Sequence, residues 1–235
     1  MNGAVRQALS RAAVYRVLAA AFAYPGPGHV DDVAGAAARA STAASAPSAP
    51  VRDALEALAQ AARAADADAL AEAYVALFDR QAACPPYEGA YGVPQLGGKA
   101  TQLADIAGFY VAFGMTTGPQ CDADDHIGAE LEFMASLALK EAWAEGHRET
   151  ARATIARDAQ RAFLDDHLAR WDEAFATRLR ELAPRGLYAA AARLLAEWVR
   201  EECARLAVVP RPLGGPAPAD DAPLTCPMAA PPGRP

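Results

Sequence analysis

A chain of 235 residues with 53% apolar and 22% charged side chains can bury a full core without a metal or disulfide staple, and is too apolar to be disordered throughout. Its 22 basic against 29 acidic residues leave a net charge of −7, so a strongly basic nucleic-acid surface is not the default reading. Alanine is abundant and β-branched residues are scarce, so helix is favoured over strand.

The first predicted helix runs from about Ala4 to Ala23, with Val5, Leu9, Tyr15, Leu18 and Phe22 near helical spacing, and Pro25, Gly26 and Pro27 stop it. Arg6, Arg11 and Arg16 interrupt its apolar run, so it reads as neither a signal peptide nor a membrane span. With four dispersed cysteines (Cys84, Cys121, Cys203, Cys226) and no C-x-x-C pair, the expectation is a cytoplasmic protein with reduced thiols and no stable membrane insertion. An alanine-rich helix follows from Val30 to Ala40, then a low-complexity linker at residues 41–50. Val51, Leu55 and Leu58 begin another helix, and Leu70, Tyr74, Leu77 and Phe78 fall at i, i+4, i+7 and i+8 of the next.

Residues 81–98, rich in proline and glycine, cannot be regular structure, yet they carry Tyr87, Glu88 and Tyr91. Leu103, Ile106, Tyr110 and Phe113 mark a helix ended by Gly114. The acidic run Asp122, Asp124 and Asp125 precedes a helix carrying Ile127, Leu131, Met134 and Leu137, with Asp124 or Asp125 as its expected cap. Residues 149–182 read as one long or kinked helix, and a last one spans about Leu187 to Leu206. The tail from Val209 is dense in proline and reads as disordered. The expected architecture is all-α, a single-domain bundle of about eight to ten helices over residues 1–208, followed by the tail 209–235.

Catalytic signatures are absent: no GxSxG elbow, no HExxH, no Glu-x-x-His pair for a di-iron centre. Gly97, Gly98 and Lys99 lack the first glycine, the Ser/Thr and the preceding strand of a phosphate loop. His126 and Glu130 share a helix face, but two ligands do not close a metal shell and a plain ion pair explains them as well. No cofactor or metal is expected. What remains is binding. Leu77 and Phe78 could line an apolar slot or simply pack in the core. Asp125 could meet a cation or cap a helix. An arginine suits such a slot, because its guanidinium pairs with carboxylates and stacks on tyrosine.

Four segments in order resemble the TorD/DmsD/NarJ chaperones for molybdenum-cofactor oxidoreductases: YVALF at 74–78, CPPYEGAYG at 84–92, DHIGAELEFM at 125–134 and FLDDHLARWDEAF at 163–175. The CPPYE form is similar to that of the branch serving type II enzymes of the dimethyl sulfoxide reductase family. The resemblance implies a non-enzymatic, cytoplasmic chaperone, monomeric or homodimeric. It would bind the immature catalytic subunit of a molybdopterin oxidoreductase, often through its twin-arginine signal peptide, assist cofactor insertion and prevent premature Tat export. It implies Tyr74, Leu77 and Phe78 in the apolar part of the peptide site and Asp125 and His126 at its polar edge, with Tyr87, Glu88 and Tyr91 on the loop. The competing readings are a GTP-binding or hydrolysing helical enzyme using Asp125 and His126, and an interaction module that works through its proline-rich tail.

Overall fold

Several of the helices open on a side-chain cap. The Asn2 carboxamide oxygen accepts from the Val5 amide at 2.8 Å and opens α1 (Gly3–Ala21); Asp66 accepts from Ala69 at 2.9 Å and opens α4 (Ala67–Phe78). Between them lie α2 (His29–Ser41) and α3 (Ala49–Arg63). A 3₁₀ turn at Glu88–Ala90 precedes α5 (Gly98–Ala112) and α6 (Ile127–Gly146). Then α7 (Thr150–Phe163) passes through a π-helical turn (Leu164–Leu168) into α8 (Ala169–Leu182), and α9 (Gly186–Leu206) closes the bundle. This computed structural model describes residues 2–43, 45, 47–79, 82–92, 98–116 and 123–215, and no strand occurs among them. Cys121, Asp122, Cys226, Gly97 and the tail from 216 lie outside the described residues. The all-α architecture is the expected one.

α1 packs against α6, α2 and α9, so most of its circumference is covered. Its buried face differs from the apolar spacing read in the sequence: Leu9 is exposed, whereas Arg11 is buried beside Ala8, Ala12, Tyr15 and Leu18. The Arg11 guanidinium meets Glu141 of α6 at 2.8 Å and Glu202 of α9 at 2.6 Å, and also donates to Gln160 of α7. Arg157 and Arg205 complete the network on Glu141 and Glu202. Burial opposes the Arg11 charge, but the Glu202 and Glu141 carboxylates outweigh it and hold the guanidinium protonated. Burial likewise opposes ionisation of Glu141 and Glu202. Bonds from Gln160 and Arg11 to Glu141, and from Arg11 to Glu202, bring both below the usual carboxylate range.

Residues 149–182, read as one long or kinked helix, hold the kink as a π turn, where the Ala169 amide reaches back to the Leu164 carbonyl. Residues 209–215, assigned to the tail by composition, hydrogen-bond to the helical body. Leu213 N donates to the Arg170 carbonyl at 2.8 Å, and Gly92 N donates to the Gly215 carbonyl at 3.2 Å. Gly92 has φ +85°, and a Cβ there would stand 3.1 Å from the Leu213 carbonyl oxygen, so a side chain would push this segment off.

Replacing Arg11 by Ala removes the buried cation shared by Glu141 and Glu202, leaving each with one partly exposed arginine, and should cost about 3–5 kcal/mol at pH 7 in urea unfolding. Because Glu141 and Glu202 titrate lower in the fold than at their ordinary 4.5, their contribution is complete above that pH and is lost as pH falls through the folded values. The wild type should therefore weaken on acidification below about 4.5, and the Arg11→Ala variant should show a flatter acid limb. Parallel acid limbs would remove Arg11 as the cause.

Candidate functional site

Proline and glycine keep residues 84–92 out of a helix, so their backbone groups must find partners elsewhere. They find them on the start of α6. Glu88 N donates to the Asp125 carbonyl at 2.9 Å and Ile127 N to the Pro86 carbonyl at 2.9 Å, forming an antiparallel bridge between Tyr87 and His126. Gly89 N then donates to Asp125 Oδ2 at 3.0 Å. A Cβ on Gly89 would sit 2.9 Å from that oxygen, so the approach needs glycine.

The expected cap of α6, Asp124 or Asp125, is instead His126: its Nδ1 accepts from Gly128 N at 3.0 Å. Asp125 is fully buried and turned back toward the loop, where it satisfies the Gly89 amide. Glu130, read as a partner for His126, accepts from Trp171 Nε1 at 3.2 Å across to α8.

Glu88 is also fully buried, and His167 Nδ1 stands 3.1 Å from its Oε2. His167 comes from the π turn, and its Nε2 faces the Asp105 carboxylate of α5 at 3.3 Å, out of line for a hydrogen bond. The ring packs against Phe109 and Phe163. Tyr91 donates to the Pro85 carbonyl at 3.0 Å and lays its ring on Trp171 and Phe175. Burial pushes the adjacent Cys84 thiol up to about 12, so it is no ready nucleophile.

Tyr74, Leu77 and Phe78 reach the same place from α4. Phe78 packs on Phe175, the ring that Tyr91 also touches, and on Tyr188. Leu77 and Phe78 are 7% and 5% exposed, so the core role is real for both. Tyr74 is half-buried and bridges Phe78 to the exposed ring of Tyr24. Tyr87 is half-buried too, with its ring edge-on to His126. The solvent side of the cluster is therefore aromatic, through Tyr24, Tyr74 and Tyr87.

The same cluster holds an excess of carboxylate. Glu88 Oε1, Asp125 Oδ1 and Glu130 Oε1 are buried without a hydrogen-bond partner among the described residues. Burial raises Glu130 well above the usual carboxylate range; Glu88 and Asp125 push it further, and the Trp171 bond opposes them. No group of three ligands that could hold a metal occurs among the described residues. With His126 bonded to Gly128 and Asp125 to Gly89, the arrangement offers stacking and cation pairing; a hydrolytic pair would leave these groups free to reach substrate. His167, Trp171, Phe175 and Glu130 join the cluster without being among the site residues expected from the sequence, although the first three stand in the segment 163–175 and the fourth in 125–134.

A family model described as nitrate reductase delta subunit matches residues 45–177. The chain is similar to the chaperone protein TorD of Vibrio cholerae, 32% identical over 139 residues, which are 57% of this chain and 60% of that protein. It is also similar to the perchlorate reductase assembly chaperone protein of Dechloromonas aromatica, 37% identical over 86 residues, 36% of this chain and 37% of that one. The chain thus spans less than two thirds of the length of these curated relatives. A solved structure described as a redox enzyme maturation protein from Archaeoglobus fulgidus shares the fold, with a TM-score of 0.54 at 20% identity over 80% of this chain and 93% of that one.

Gly89→Ala tests the geometry of the loop. The added methyl displaces Asp125 Oδ2 and leaves a buried acceptor unsatisfied, so the urea midpoint should fall by the equivalent of about 1–3 kcal/mol. An unchanged midpoint would mean that the loop does not sit on α6 as described.

Proposed function

Because the chain belongs to the nitrate reductase delta subunit family, we propose that it is a maturation chaperone and not an enzyme, and that it holds the immature catalytic subunit of a molybdopterin oxidoreductase in the cytoplasm. The client is gripped through a segment bearing arginine, of the twin-arginine signal type, before cofactor insertion and Tat export. The carrying observation is the buried set of Glu88, Asp125 and Glu130, each with one unpartnered oxygen, beside the half-exposed ring of Tyr87. An arginine guanidinium matches both parts, since it pairs with carboxylates and stacks on rings. The names of the relatives, a TorD chaperone and a perchlorate reductase assembly chaperone, support a partner of the same enzyme class. No helix among the described residues is long and apolar enough to cross a membrane, which agrees with action on a client before export.

Entry of a guanidinium requires the loop 84–92 to part from α6, because Asp125 and Glu88 are fully buried in the closed form. Tyr74 and Tyr87 remain half-exposed and would make the first contact. Titration calorimetry with a synthetic peptide carrying an arginine pair followed by an apolar stretch tests this. The arginine peptide should bind at least tenfold tighter than its lysine counterpart, because lysine cannot stack or pair in bidentate fashion. Tyr87→Ala should weaken it by roughly thirtyfold, about 2 kcal/mol, with the fold intact. Equal affinity for the two peptides would refute arginine recognition.

A further inference from the structure

We propose that the groove between α6 and α7 is a second docking surface, one that takes an acidic peptide segment bearing an aromatic or aliphatic side chain. The groove encloses about 390 Å³ and is lined by Phe113, Lys140, Trp143, Arg152, Ile155 and Ala156. That volume lies within the ~300–1,000 Å³ of ordinary ligand clefts. It sits at the far end of α6 from the motif cluster: sixteen residues separate Ile127 from Trp143, about 24 Å along a helix. A failure of the arginine-peptide reading therefore leaves it untouched.

Its walls are apolar and open. Trp143 is 47% exposed and Ile155 57%, which is unusual for side chains that could have faced the core. Its polar lining residues are both cations, in a chain whose net charge is −7. Arg152 lies over the Trp143 ring at 5.7 Å and pairs with Glu149 at 2.9 Å on the outer side. Lys140 makes no ion pair among the described residues, and no carboxylate stands three or four positions from it on α6, where Ser136, Leu137, Trp143 and Ala144 occur. The nearby acids Glu141 and Glu145 are answered by Arg157. His147 stacks on Trp143 at 4.3 Å. A carboxylate of the guest would meet Lys140 while its neighbouring apolar side chain covers Trp143 and Ile155. A basic guest would meet the like charges of Lys140 and Arg152, and an uncharged one would leave Lys140 without an ion-pair partner.

Trp143 is its own reporter, because Trp171 and Trp198 are buried. The probe is the blocked peptide Ac-Glu-Leu-Glu-Phe-Glu-NH2, with a control in which lysine replaces each glutamate. Acrylamide quenching of the full-length protein follows occupancy. The acidic peptide should protect Trp143 saturably, Lys140→Glu should weaken binding at least tenfold, and the lysine peptide should give no saturable protection. The proposal is overturned by an absence of saturation, by equal binding of the two peptides, or by unchanged affinity in Lys140→Glu. Two further results would also overturn it by naming another occupant. One is tenfold tighter binding when Asp220, Asp221 and Leu224 are all changed to Ala, which would assign the groove to the chain's own terminus. The other is a dimer in sedimentation that Lys140→Glu splits, which would assign it to a second copy.

Discussion

A carboxylate with no access to water must be answered from inside, and Glu88 sets that demand for the whole motif cluster. Its answer is His167, which must be carried inward by the turn between α7 and α8. In the segment 163–175 the inward residues Phe163, His167, Trp171 and Phe175 recur every four positions, and in a straight α-helix that spacing drifts by about 40° at each step. The wider π turn at Leu164–Leu168 takes back part of the drift, so all four stay on the buried face. With His167 fixed, the loop 84–92 is pinned from above by Glu88 and from below by its backbone pairing with α6. Tyr91 and Phe78 then share Phe175, and the cluster closes.

The fold contains a second buried charge centre, and the two differ in how fully their charges are answered. Around Arg11 the carboxylates are matched by cations, so Glu141 and Glu202 are drawn below their ordinary range and the four helices are tied together. Around Glu88 the carboxylates outnumber the cations, Glu130 is driven upward, and three oxygens are left over. The saturated network ties helices together, and the unsaturated one is what the proposed arginine guest would answer.

Much of this was legible in the sequence, for identifiable reasons. Helical spacing located the inward faces of α3, α6 and α9, since Leu55, Leu58, Leu131, Leu194 and Trp198 pack by simple periodicity. Proline and glycine marked the loop, and the ordered motifs marked the segments that pack around it. Periodicity failed where long-range polar contact decides. Arg11 is buried because its partners arrive from 130 and 191 positions away, which no local window sees. His126 took the cap because Asp125 was claimed by Gly89, a contact 36 positions distant. Residues 211–213 looked like tail by composition, yet their backbone found Arg170 on α8.

The central claim is that the Glu88–His167 contact holds the motif cluster shut, and a double-mutant cycle measures it. Glu88→Met and His167→Leu each strand a buried polar partner, whereas the double variant strands neither. Urea unfolding should give a coupling energy of about 1–3 kcal/mol, with the double variant less damaged than the sum of the two single ones. Additivity within about 0.5 kcal/mol would contradict the account, because the loop would then be held by its backbone bonds to α6 alone.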